Sequence, residues 1–163
     1  MSRFLYVASD HQMEEQPNPY VEVLSINEAI EKGLELELDM FNQSVDRDKP
    51  GVILWVEDEE KLEVPEFCDI ENKEYYDEII TKKPYCIEVQ GNIRESNADI
   101  VVSYIKKNVE KGQELEFWKV WLDEEIRPDF HDIELISIND LTNEKLLEVI
   151  NSQTYPMCLR IYK

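Results

Sequence analysis

The sequence predicts an α+β fold built mainly on an antiparallel sheet, and three observations carry that reading. Short apolar or alternating runs of strand length recur along the chain, helical periodicity is confined to a few stretches, and one pattern of segments repeats in order. The repeat is tested first, because a fixed internal period changes how every element is read. Pro65-Glu66-Phe67-Cys68-Asp69-Ile70-Glu71 returns as Pro128-Asp129-Phe130-His131-Asp132-Ile133-Glu134 with five of seven positions identical. Tyr85-Cys86-Ile87-Glu88-Val89 resembles Met157-Cys158-Leu159-Arg160-Ile161, and Val21 to Glu28 resembles Ile133 to Asp140. Residues 1–163 therefore read as one domain of about three related units, near 3–41, 51–90 and 115–163, each running strand, acidic loop, strand, helix, strand.

Taken in order, Phe4 to Ala8 is a short apolar strand, and 21–26 alternates Val21 and Val23 against Glu22, the period of a half-buried strand. Asn27 is placed to cap a short helix that Gly33 ends, and Asn139 is placed to cap another. Leu34, Leu36 and Leu38 alternate with acids and suggest a further strand, although Glu and Leu are also good helix formers. Val52 to Val56 is apolar on both faces, which predicts a central strand covered on each side. The longest helix is expected over 96–111, connecting the second and third units. Ser96 and Asp99 stand in capping-box spacing, Ile100, Val101, Tyr104, Ile105 and Val109 line one face, and Gly112 ends it. A last helix is expected near 143–151, presenting Leu146, Leu147 and Ile150. Tyr75-Tyr76 opens a short helix with Ile79 and Ile80, Tyr76 turned to the core.

Charge narrows the function classes. The chain carries 17 Lys and Arg against 37 Asp and Glu, a net charge of −20. The excess is spread evenly, at −7 over residues 1–50, −7 over 51–113 and −6 over 114–163. Direct nucleic-acid binding needs clustered cations to neutralise phosphates, and nothing here exceeds the doublets Lys82-Lys83 and Lys106-Lys107. An anionic membrane surface would repel the chain, and no run approaches the 18 or so apolar residues of a membrane span. Met1 to Tyr6 runs into a strand-like pattern without the long apolar core of a signal peptide. Three cysteines without CxxC spacing, two of them in apolar runs, suit buried thiols in a reducing, cytoplasmic setting.

Catalytic and cofactor motifs are absent. The sequence holds no phosphate-binding glycine loop, no GxSxG, no HExxH and no zinc-type Cys/His spacing, so no catalytic residue, metal ligand or cofactor is nominated. His131 occupies the repeat position of Cys68 and reads as a packing residue, and His11 reads as an exposed bystander beside Asp10. The candidate site is the pair of acidic turns, Glu57-Asp58-Glu59-Glu60 and Asp123-Glu124-Glu125, with Asp10 and Glu14-Glu15 roughly equivalent in the first unit. Trp118 and Trp121 sit three apart in one strand and face opposite sides; core packing is expected of both, and Trp118 is the aromatic candidate should one of them anchor an interface. Together these predict a non-enzymatic interaction domain for a basic partner, in the manner of an immunity-type or DNA-mimicking inhibitor. The alternative is a divalent-cation or small-ligand-binding domain, an enzyme included, using clustered carboxylates.

Overall fold

The computed structural model describes residues 3–36, 45–70, 81–121, 132–153 and 157–163. In chain order the elements are β1 (Arg3–Ser9), β2 (Glu22–Leu24), α1 (Ile26–Glu31), β3 (Ile53–Trp55), β4 (Glu66–Asp69), β5 (Tyr85–Gln90), α2 (Ala98–Asn108), β6 (Glu114–Trp121), β7 (Asp132–Ser137), α3 (Asn143–Asn151) and β8 (Met157–Tyr162). Short 3-10 turns lie at Glu59–Glu63 and Ile138–Asp140. The chain divides into two compact units, one of Met1–Pro17 with Val64–Lys163 and one of Asn18–Glu63.

The larger unit is α+β, with a six-stranded sheet in the order β4-β5-β1-β6-β8-β7. Every pairing in it is antiparallel except β7 with β8, which α3 joins as a parallel crossover. One face carries Leu5, Val7, Phe67, Ile87, Leu115, Phe117, Leu159 and Ile161, and the apolar stripes of α2 and α3 pack into the same cluster. Those stripes are Val101, Tyr104 and Ile105 on α2, and Leu146, Val149 and Ile150 on α3, spaced three and four apart as helix burial requires. The other face carries Tyr6, Ala8, Cys86, Trp118, Val120 and Cys158, joined by Ile70. β6 is thus buried on both sides.

The helix at 143–151 lies where its pattern predicts, with Thr142 Oγ1 accepting from the Lys145 amide at 3.2 Å. The longer helix is shorter than its periodicity suggests. It starts at Ala98 behind Asn97, whose side chain is spent on the Arg94 amide and the Asn92 carbonyl, and Gly112, with φ of 81°, lies in the turn that follows Asn108. Tyr104 of this helix stacks on Phe67 and donates from its hydroxyl to the Glu14 carbonyl at 2.8 Å. Burial, with the Glu14 charge nearby, pushes the Tyr104 phenol from 10 up to about 12. The raised value favours the protonated phenol in the fold, so its contribution is whole below pH 10 and is lost as pH rises from 10 to about 12. A Tyr104→Phe variant is expected to lose about 1 kcal/mol at neutral pH with the hydrogen bond. It should also fall less steeply than the parent above pH 10 when urea midpoints are followed against pH; parallel curves would contradict the assignment.

The three sequence units are not confirmed as structural repeats. Phe67 sits in β4, antiparallel to β5, whereas Ile133 sits in β7, parallel to β8. What the similar segments share is local. Val21 to Glu28 and Ile133 to Asp140 each run from a strand through a serine cap into a helical turn. The caps are Ser25 and Ser137, not Asn27 and Asn139. Ser25 closes a full capping box, its Oγ accepting from the Glu28 amide at 3.2 Å and its own amide donating to Glu28 Oε2 at 2.7 Å. These bonds hold the Glu28 carboxyl below its usual range.

The smaller unit corrects a second expectation. The apolar run at 52–56 forms only the three-residue β3, paired with β2 alone in a two-stranded sheet. A continuous apolar run cannot distinguish a doubly covered strand from a ribbon with one face open, and Leu54 is 67% exposed. Leu34 to Leu36 has no regular structure, and Leu38, the 71–80 segment with Tyr75, Tyr76, Ile79 and Ile80, and His131 lie outside the described residues.

Candidate functional site

The acidic turn grows directly out of β3. After Trp55 the chain bends at Glu57 and Asp58 and enters the 3-10 turn Glu59–Glu63. Asp58 closes it: its Oδ1 accepts from the Glu60 amide at 3.1 Å and its carbonyl accepts from the Lys61 amide at 2.8 Å. The turn is tied down by Asn18, whose Nδ2 donates to the Lys61 carbonyl at 2.7 Å, while Lys61 Nζ lies 4.7 Å from the centre of the Tyr20 ring. Glu57, Asp58, Glu59 and Glu60 are all exposed. Asp58 therefore has a structural task beside its charge.

The ribbon upstream is two-faced. On one side Lys32 of the α1 C-cap lies 3.6 Å from the centre of the Trp55 ring and pairs with Glu22 at 2.6 Å. On the other side Val23 and Leu54 are register partners, 56% and 67% exposed. Tyr20 and Leu62 of the same unit are also exposed. No property of the sequence marked Val23 and Leu54 as a surface pair, because Val23 falls on the apolar side of a run that reads as half-buried strand and Leu54 in one that reads as covered on both faces.

The other nominated residues fare differently. Asp123, Glu124 and Glu125 lie outside the described residues, as does the Trp121 side chain. Trp118 is 3% exposed and faces the sheet's second cluster, its Nε1 donating to Glu116 Oε2 at 2.9 Å, so it offers no anchor on the surface. His11 is half-buried rather than exposed; its Nδ1 lies 3.3 Å from Gln113 Oε1 and its carbonyl accepts from Ser9 Oγ.

Two buried polar groups of the larger unit went unnoticed in the sequence. Glu116 lies among the second cluster and accepts from Thr81 Oγ1 at 2.5 Å and from Trp118, with Arg160 Nη2 3.4 Å away. Lys119, on the opposite face of the same strand, is wholly buried against the end of α3. A concavity of about 640 Å³ lies among Gln12, Met13, Glu14, Glu15, Asp69 and Tyr85. Its carboxylates have local tasks: Glu15 Oε1 accepts from the Asp69 amide at 2.9 Å, and Glu14 pairs with Lys107 at 3.5 Å.

None of the three cysteines forms a disulfide. Burial pushes the Cys68 and Cys158 thiols up, Cys68 further through Glu66, Glu15 and Glu88, so neither is poised as a thiolate. Among the described residues no group of three or more His, Cys, Asp or Glu side chains is placed to hold a metal ion. No helix among them is long and apolar enough to cross a membrane. No protein-family model, no curated protein and no solved structure matches this chain.

Proposed function

We propose that this chain is a non-enzymatic protein-interaction domain that binds a basic partner through the acidic turn Glu57–Glu60, in a cytoplasmic setting. The observation that carries the reading is the turn's position: four exposed acidic residues follow within three to six positions of an exposed apolar side chain, Leu54. A charged rim beside an apolar centre is the arrangement in which the field speeds encounter and rejects wrong partners while the apolar contact slows dissociation. Residues 18–63 carry 13 Asp and Glu against 4 Lys and Arg. A compact turn such as Glu57–Glu60 suits an immunity-type inhibitor of a basic protein better than a DNA mimic, which needs carboxylates spaced along one extended face.

Affinity capture from the source lysate, washed across a salt gradient, tests the proposal. The expected result is a stoichiometric basic protein that elutes as salt rises, because screening weakens exposed charge pairs. The variant Glu57→Gln, Asp58→Asn, Glu59→Gln, Glu60→Gln keeps the Asp58 acceptor oxygen and should lose at least about tenfold in affinity at low salt. A partner held equally by both proteins, or no partner at low salt, would overturn it.

A further inference from the structure

We infer that the open face of the β2–β3 ribbon is the anchor of this docking surface, and that its occupant is a basic amphipathic segment. Such a segment would seat an apolar side chain on Val23 and Leu54 and lay Lys or Arg residues on Glu57–Glu60. The inference rests on the reading of the chain as a binder of a basic protein.

The ribbon lacks the polar outer face of a solvated strand pair. In an antiparallel pair the residues directly opposite share a face, with Cβ atoms about 4.5–5.5 Å apart, so Val23 and Leu54 form one contiguous apolar spot. The face shared with Lys32 carries Leu24, Ile53 and Trp55 with the half-exposed Glu22, while the face left to solvent carries the valine and the leucine. An ordinary half-exposed ribbon would place its polar residues outward. Gly51 adds to the opening. Its φ of 87° makes the turn into β3, and a Cβ there would lie 3.8 Å from Val23 Cγ1, so the glycine leaves that flank of Val23 uncovered.

Charge complementarity selects the occupant. The unit's 13 acids against 4 bases, within a chain of net charge −20, disfavour an acidic segment and a second copy of the chain alike. Glu57 lies three positions after Leu54, a reach of at most about 11 Å. A bound segment therefore spans apolar spot and carboxylates together when its cations lie two to four residues from its apolar anchor in extended form.

The test is an amide chemical-shift titration of the full chain with three synthetic octapeptides: alternating Lys and Leu, alternating Lys and Ser, and alternating Glu and Leu. The Lys/Leu peptide is expected to shift Val23, Leu54 and Glu57–Glu60 and to bind about tenfold more tightly than the Lys/Ser peptide. Leu54→Ser, at an exposed site that leaves the fold intact, should erase that advantage and leave Lys/Ser binding unchanged. Equal binding of the two cationic peptides overturns the inference, as do shifts confined to other surfaces or a preference for the Glu/Leu peptide. Concentration-dependent shifts at Val23 and Leu54 without peptide would mark self-association as the occupant and overturn it too. Full-strength capture of a basic cellular partner by Leu54→Ser would sink the apolar anchor while leaving the basic-partner reading standing. Loss of that partner in neither Leu54→Ser nor the Glu57–Glu60 variant would sink both.

Discussion

Replacing Lys119 by Met is expected to lower the folding stability by about 3 kcal/mol. Lys119 has no exposed surface, and its ammonium donates to Val149 O at 2.8 Å, Ser152 O at 2.8 Å and Ser152 Oγ at 2.7 Å. These acceptors end α3, where the aligned peptide dipoles leave partial negative charge and unsatisfied carbonyls. Methionine keeps most of the apolar stem, so the loss isolates the charged donor rather than a cavity. Urea unfolding should show a lower midpoint at unchanged slope, and heating should show a drop of about 6–12 °C for a chain of this size. A change below about 1 kcal/mol would mean that the burial cost of the ammonium already cancels its bonds.

Glu116→Gln is the second large effect, with an expected loss of about 2 kcal/mol. The carboxylate is 6% exposed and spends Oε2 on two donors, Thr81 Oγ1 and Trp118 Nε1, while Oε1 faces the Arg160 guanidinium. An amide has one acceptor oxygen. Whichever way it turns, its NH2 confronts either the Thr81–Trp118 pair or Arg160, leaving donors opposed in a dry site. The loss should appear in urea titrations together with a change in Trp118 emission. Equal stability of the variant would show that Thr81 and Arg160 find other partners.

These two residues also show why parts of the molecule were not legible in the sequence. In Glu114–Trp121 charge alone would assign Glu116 and Lys119 to solvent, yet they lie on opposite faces of a strand whose two faces are both covered. Periodicity reports burial only when one face is wet. The α+β class and the helix at 143–151 were legible, because Leu146 and Ile150 at helical spacing behind Thr142 have no competing reading. β3 was misread because Val52 to Val56 is equally apolar in a central strand and in an exposed ribbon. The resemblance between Val21–Glu28 and Ile133–Asp140 reports a shared strand-to-helix cap at Ser25 and Ser137, and such a cap serves a two-stranded ribbon and a six-stranded sheet equally well. Of the site, the carboxylates Glu57–Glu60 were legible as a charge run on a turn. Their apolar neighbour was not, since exposure of Leu54 depends on which strands pair with β3.

The central claim is that Glu57–Glu60 meets a basic partner, and carbodiimide labelling of carboxylates in the captured complex tests it most directly. Labelling read residue by residue by mass spectrometry should fall at Glu57, Asp58, Glu59 and Glu60 in the complex relative to the chain alone, and recover as salt dissociates the partner. Unchanged labelling at these four residues, with protection at carboxylates of the larger unit, would contradict the account and move the interface elsewhere.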